Sequence, residues 1–152
     1  MSGREESIGR WISILYRIGQ VYVTKELESL QIGRGQHAFL TVLFHQEGIS
    51  QGELARILNM DKGSVAHALQ KLEKAGFVER KRDKVDRRIN LVYLTEKARS
   101  IESRLFLVLA SWTDKLADGF SDEERRYTLT LLRRMAENAA RALEQKKEGP
   151  VS

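Results

Sequence analysis

Between Ser50 and Thr95 the chain reads SQGELARILNMDKGSVAHALQKLEKAGFVERKRDKVDRRINLVYLT, a stretch that leaves few folds open. Two helical patterns come first, separated by Asn59 and Met60. Leu54, Ala55 and Leu58 give the first an apolar face, and Val65, Leu69 and Leu72 recur at i, i+4, i+7 in the second. Ser50 with Glu53 has the form of a capping box, Asp61 is an N-cap for the second helix, and Gly76 supplies its left-handed stop. A strand pair follows, with its turn near Asp83 to Arg88. Phe77, Glu79 and Lys81 alternate with Val78 and Arg80 on one strand. Ile89, Leu91 and Tyr93 alternate with Asn90, Val92 and Leu94 on the other. Residues 79–88 carry six basic and three acidic side chains, so the tip is too polar to pack on a core. Helix, turn, helix and basic hairpin make a winged helix-turn-helix. The expected fold class is therefore mainly α with a small β-hairpin wing.

These residues resemble the MarR family of transcriptional regulators. The resemblance rests on Glu53-Leu54-Ala55, Met60-Asp61-Lys62, Ser64-Val65, Leu72-Glu73, Gly76-Phe77-Val78, Arg80, Asp86-Arg87-Arg88 and Leu94-Thr95. They keep the family's order and spacing over about 45 residues. Ala66 departs from it, where the family often has Thr, and so does Ala98, where a Gly often follows the Leu-Thr pair. The resemblance extends to the whole chain in length and helix order. It implies a homodimer bound to double-stranded DNA at a pseudo-palindromic operator. It also implies repression, commonly relieved by a small aromatic or phenolic ligand held between the dimerising helices and the DNA-binding lobe.

The helix expected over 61–75 would then be the recognition helix. At 100° per residue, Gly63, His67, Gln70 and Lys74 point away from Val65, Leu69 and Leu72, with Ser64 and Ala66 flanking and Lys62 at the start. Gln70 can pair with adenine N6 and N7, His67 can donate to a purine acceptor, and Ser64 can bond a base or a phosphate. Gly63 permits close approach. In the wing, expected over 79–93, Asp86 stands two residues before Arg88, where a carboxylate can orient a guanidinium. The family's minor-groove arginine falls on Arg88, with Arg87 and Lys84 nearer phosphate.

Charge agrees with this placement. Residues 1–49 carry five basic and five acidic side chains, residues 50–95 carry 10 and 6, and residues 96–152 carry 11 and 10. So +4 of the net +5 lies in the helix-turn-helix and wing. A charge run is often only a solvated face, but concentrated on this motif it reads as a phosphate-tracking surface.

The flanks read as helices that outgrow a domain of this size. Over 7–30, Ile8, Trp11, Ile12, Leu15, Ile18 and Tyr22 form a broad stripe. A helix from Thr95 through Asp118 carries Ile101, Leu105, Val108, Trp112 and Leu116. Gly119 ends it, and Ser121 with Glu124 forms a capping box opening a helix to about Lys147. Its apolar face is Leu131, Leu132, Met135, Ala139, Ala142 and Leu143. The division expected is one subunit over 1–152: dimerisation helices at 7–30 and 96–147, and a DNA-binding lobe at 34–95. Trp11, Tyr16, Arg17 and His37 are the candidates for lining a ligand cavity, since an aromatic carboxylate needs a cation and an apolar wall. The bland alternative for the aromatics is core or subunit interface.

Several classes are set aside. Gly33-Arg34-Gly35-Gln36-His37-Ala38 looks like a dinucleotide fingerprint, but no strand precedes it, and it reads as a loop and helix start. That helix runs to near Gln46, with Phe39, Leu40, Val42, Leu43 and Phe44 as core. There is no cysteine, and His37, His45 and His67 are not at metal-ligand spacing. No metal, cofactor or catalytic residue is expected: no phosphate loop, HExxH or triad is present. No apolar run approaches the roughly 20 residues of a membrane span, and the polar MSGREESIGR start has no signal-peptide pattern, so a cytoplasmic protein is expected. The rival to an operator-binding regulator is a winged helix that docks a protein.

Overall fold

The computed structural model describes residues 6–149. The first residues of the polar start lie outside them, as do the last residues of KKEGPVS, a stretch whose composition reads as a frayed tail. The chain divides into two compact units, Met1–Trp112 and Thr113–Ser152.

The first unit opens with α1, Ile8–Leu27, whose N-cap Ser7 Oγ accepts from the Arg10 N–H at 3.3 Å. A 3-10 turn over Glu28–Leu30 tightens its end. The buried residues of α1 are Gly19, Val23 and Leu27, not the aromatic and isoleucine stripe. Ile8, Trp11, Ile12, Leu15 and Ile18 are exposed. Tyr22 alone of that stripe turns toward the core, stacking on Trp112 at 4.9 Å. The fingerprint-like loop leads into α2, His37–His45, which buries Phe39, Leu40 and Leu43.

A strand that the sequence did not announce comes next: β1, Ile49–Ser50. Ser50 then caps α3, Gln51–Leu58, accepting from the Glu53 N–H at 3.0 Å. The expected capping box is only half made, because the Glu53 carboxylate accepts from Arg56 at 2.6 Å instead. Asn59, left-handed at φ 51°, closes α3. α4, Lys62–Lys74, starts at the Asp61 cap and ends before Gly76. β2, Val78–Arg82, and β3, Asn90–Leu94, form the hairpin with the predicted alternation: Val78 pairs with Leu94, Arg80 with Val92 and Arg82 with Asn90. β1 pairs Ile49 with Val92, so the sheet is three-stranded in the order β1-β3-β2. One core runs beneath it, from Val23 through Leu40, Leu54, Leu69, Phe77 and Val92 to Val108.

The helix expected from Thr95 to Asp118 is broken. α5, Glu96–Ser100, stops at Ile101, whose N–H bonds back only three residues to Ala98. α6 runs from Glu102 to Leu116. The two halves answer to different partners. Thr95 Oγ1 donates to Gly76 O at 2.6 Å and Lys97 Nζ to Ala75 O at 2.6 Å, tying α5 to the end of α4. Leu105 and Val108 of α6 are buried in the main core. A bend at Ile101 satisfies both.

The second unit holds the end of α6, a turn at Gly119 and α7, Asp122–Lys147. The capping box at Ser121 and Glu124 is complete, at 3.1 Å in each direction. Yet none of the 26 residues of α7 is buried. Arg125 reaches Asp114 at 2.7 Å.

Candidate nucleic-acid interface

Helix α4 is held from both ends. The Asp61 carboxylate accepts from the Ser64 N–H at 2.8 Å and from the Ser64 hydroxyl at 2.6 Å. These bonds, the hydroxyl's foremost, keep the Asp61 carboxyl below the usual carboxylate range. Val65, Leu69 and Leu72 are fully buried, which fixes the rotation of the helix. The opposite face is therefore determined: Lys62, Gly63, Ser64, His67, Gln70 and Lys74 are exposed, and Ala66 is half-buried. Ser64 spends its donor on Asp61, so its hydroxyl oxygen is left chiefly as an acceptor. Lys71 is exposed on the same side, beside His67 and Lys74. Sequence reading passed over it because its neighbours Gln70 and Lys74 had already filled the face.

The wing tip is built on two aspartates. Asp83 Oδ1 accepts from the Val85 N–H at 3.1 Å, and the Asp83 N–H donates to Ile89 O at 2.8 Å. Asp86 takes Arg88 three times: Oδ1 accepts from the Arg88 N–H at 3.1 Å and Nε at 3.0 Å, and Oδ2 from an Nη at 3.0 Å. The guanidinium keeps the Asp86 carboxyl low, and the carboxylate in turn raises the arginine. Arg88 is nonetheless 90% exposed. A bidentate, aimed and uncovered guanidinium is the form that phosphate and groove recognition uses. Lys84 and Arg87 are exposed on the same tip.

The start of α4 and the tip end of the wing's second strand share a cleft of about 370 Å³, lined by Ser50, Gln51, Gly52, Lys62, Arg88, Ile89 and Asn90. It brings Lys62 and Arg88 together. Gln51, Gly52 and Asn90 were missed from the sequence: all three are uncharged, and Gln51 and Gly52 also precede the recognition helix rather than belonging to it or to the wing. Their one signal is position: Gln51 and Gly52 directly follow a helix cap, where backbone N–H groups are unpaired.

The four ligand candidates do not converge. At 100° per residue, Trp11, Tyr16 and Arg17 leave α1 in three directions, and all three are exposed. His37 is half-buried at the start of α2, and burial lowers its pKa. None of the four lines the cavity of about 580 Å³ between the second half of α1 and the following loop. Gln20, Val21, Thr24, Lys25, Ile32 and Arg34 are among its walls. Gln20 Oε1 and Thr24 Oγ1 there are buried with no hydrogen-bond partner among the described residues. Among the described residues no cluster of His, Asp or Glu could hold a metal ion, and no helix is long and apolar enough to cross a membrane.

With this geometry in place, comparison with known proteins is informative. Residues 32–89 match the family model described as MarR family. A Bacillus subtilis (strain 168) relative, the uncharacterized HTH-type transcriptional regulator YybA, is 31% identical over 124 residues, covering 82% of this chain and 83% of its own. The crystal structure of a MarR transcriptional regulator from Methanosarcina mazei Go1 is 41% identical. It superposes with a TM-score of 0.85 over 89% of this chain and 97% of that one. A Listeria monocytogenes chain solved in complex with a 26mer DNA superposes at a TM-score of 0.88 over 97% and 98%. At 24% identity that likeness concerns the fold alone.

Proposed function

This chain belongs to the MarR family of DNA-binding transcriptional regulators, and from that premise we propose that it acts as a homodimeric repressor of a pseudo-palindromic operator. The observation that carries the reading is the pairing on one lobe of two elements. One is a rotation-locked helix with a polar and cationic face; the other is a wing whose arginine is aimed by Asp86. In this mechanism α4 enters a major groove. Gln70 and His67 meet base edges, Lys62, Lys71 and Lys74 meet phosphate, and Arg88 enters the adjacent minor groove. The dimer is supported by the exposed stripe of α1 and by the exposed leucines Leu129, Leu132 and Leu143 of α7, none of whose residues is fully buried. Residues 7–30 and 96–147 are its expected interface. Small-molecule release is part of the proposal. Its first place to look is the α1 cavity with unpaired Gln20 and Thr24 and cationic Lys25 and Arg34, rather than Trp11, Tyr16, Arg17 and His37. By linkage, a releasing ligand binds the free protein more tightly than the DNA-bound form.

The test is fluorescence anisotropy on a duplex selected by the wild-type protein from a randomised pool, and on a scrambled duplex, across a salt series. Arg88→Ala is expected to weaken both and to make the slope of log K against log salt shallower by about one per wing engaged. Gln70→Ala is expected to lower affinity for the selected duplex by about 1–3 kcal/mol per contact and to leave the salt slope unchanged. A wild-type chain with no salt-dependent affinity for any duplex would instead be a winged helix that docks a protein.

A further inference from the structure

Two DNA-reading elements are useful together only if the angle between them is fixed, and one side chain joins them. Arg80, on β2, donates from Nε to Glu73 Oε2 at 2.9 Å and from an Nη to Glu73 Oε1 at 3.3 Å. Its other Nη donates to Gln51 Oε1 at 3.3 Å. Glu73 sits in the last turns of α4, and Gln51 is the first residue of α3 and a wall of the cleft that holds Lys62 and Arg88. One guanidinium thus ties the root of the wing to both helices of the helix-turn-helix. It is largely covered, at 24% exposure, unlike Arg88. The inner strand β3 is held separately, by its pairing with β1 at Ile49 and Val92 and by the Leu94 N–H donating to Glu47 at 2.8 Å. On the outer strand β2 the buried Val78 makes a non-directional apolar contact, and Arg80 makes the directional side-chain tie to the helices. A bidentate guanidinium–carboxylate pair sets the angle. From Arg80 to Arg82 at the end of β2 the chain advances about 7 Å at strand rise, and the turn carries the tip further, so a turn of roughly 10° at the root moves the tip by more than about 1 Å. That exceeds the width of any hydrogen-bond optimum.

We infer that Arg80, held by Glu73 and Gln51, is a positioning residue that sets the wing at its reading angle to the recognition helix, acting on DNA through Arg88 rather than by touching DNA itself. The inference rests on the DNA-reading roles proposed above. Glu73→Gln decides it, because the two accounts differ in sign. The variant removes a negative charge from a DNA-facing lobe, so plain electrostatics makes binding tighter, whereas loss of the angle makes it weaker. Arg80→Met, of similar length and without charge, supplies the second arm. On the wild-type-selected duplex, both variants are expected to bind about tenfold more weakly. In the Arg80→Met background, Arg88→Ala should add less than about twofold, while Gln70→Ala keeps its full penalty. The circular dichroism spectrum should be unchanged in both. Glu73→Gln binding as tightly as wild type or tighter, or a full Arg88→Ala penalty in the Arg80→Met background, overturns the inference. A wild-type protein that binds no duplex, or an Arg88→Ala variant without effect, sinks the DNA-reading proposal itself and is recognised before any Arg80 variant is made.

Discussion

The helix α4 and the helix α7 start in the same way and end in opposite circumstances. Each opens on a side-chain cap, Asp61 on Ser64 and Ser121 on Glu124, and each carries an apolar face. α4 sinks Val65, Leu69 and Leu72 to zero exposure. α7, twice as long, leaves Leu129, Leu132 and Leu143 more than two-fifths exposed. Capping and length are local properties and are enough to write a helix. Stability comes from covering the apolar face, and only the winged lobe does that with its own residues. The winged lobe buries its apolar faces with its own residues, whereas leucines of α7 and the outer stripe of α1 stand exposed, the surfaces on which the proposed dimer rests.

The largest effects test that contrast directly. Leu105, at 0% exposure, lies on the stripe that reads from sequence as an interface, yet it belongs to the chain's own core. Leu105→Ala is expected to cost about 2–5 kcal/mol of unfolding free energy, measured in urea, at any protein concentration. Leu132, 44% exposed, should behave differently. Leu132→Asp is expected to leave the lobe's helical signal and lower the mass seen by light scattering from two chains to one, with midpoints that fall as protein is diluted. A stable wild-type monomer, or a Leu132→Asp dimer of unchanged stability, removes α7 from the interface.

What the sequence disclosed follows the same line. Elements set by short-range chemistry were legible: the caps at Ser50, Asp61 and Ser121, the helix start at Thr95, the Gly76 stop, the alternation of the hairpin strands and the Asp86–Arg88 pair all appear where spacing put them, whereas the register of the hairpin was read only from the structure. Features set by distant residues were not. β1 is two residues long, too short to alternate, and exists because Val92 offers it an edge. The break at Ile101 reflects a tug between Ala75 and Gly76 on one side and the core around Leu105 on the other. Glu53 met its capping rule but found Arg56 closer. The angle of the wing depends on Gln51, Glu73 and Arg80, and Gln51 and Arg80 are 29 residues apart with nothing in the pattern to couple them.

Charge pairs give a smaller and more graded comparison. Glu47 accepts from Arg99 at 2.8 and 2.9 Å and from the Leu94 N–H at 2.8 Å, joining the end of α2 to β3 and α5. The Arg99 guanidinium, and after it the Leu94 N–H, hold its carboxyl below the ordinary value near 4.5. The unfolded chain therefore takes up the proton first. The contribution is complete above the ordinary value and is lost as pH falls through the lowered folded one. Glu47→Gln is expected to cost roughly 1–2 kcal/mol in urea at neutral pH, with the gap to wild type closing in acid. Asp114→Asn, which breaks the exposed pair with Arg125 in the second unit, should change stability by no more than about 0.5 kcal/mol. A gap for Glu47→Gln that persists unchanged to about pH 3 would mean that the carboxylate acts by shape and not by charge.

The finest comparison uses two glycines with one backbone conformation. Gly48, in the winged lobe, has φ +77°, and Gly119, between α6 and α7, has φ +80°. Alanine at either pays for the left-handed region, about 1 kcal/mol. The surroundings differ. A methyl at Gly48 would stand 3.1 Å from Tyr93 Cε1, on a ring that the Lys81 ammonium covers at 5.1 Å. At Gly119 no atom of the described residues beyond its own chain neighbours lies within 4 Å of such a methyl. Gly119→Ala is therefore expected to lower stability by about 1 kcal/mol and Gly48→Ala by about 2 kcal/mol, the excess being the displacement of Tyr93. Equal costs near the lower value would mean that the ring yields freely and the lobe is less tightly packed than its buried leucines imply. Equal costs near the higher value would mean that something outside the chain already fills the space at Gly119. The proposed dimer offers a second copy for that place, and dilution then decides, because an intersubunit clash disappears in the monomer while a backbone penalty does not.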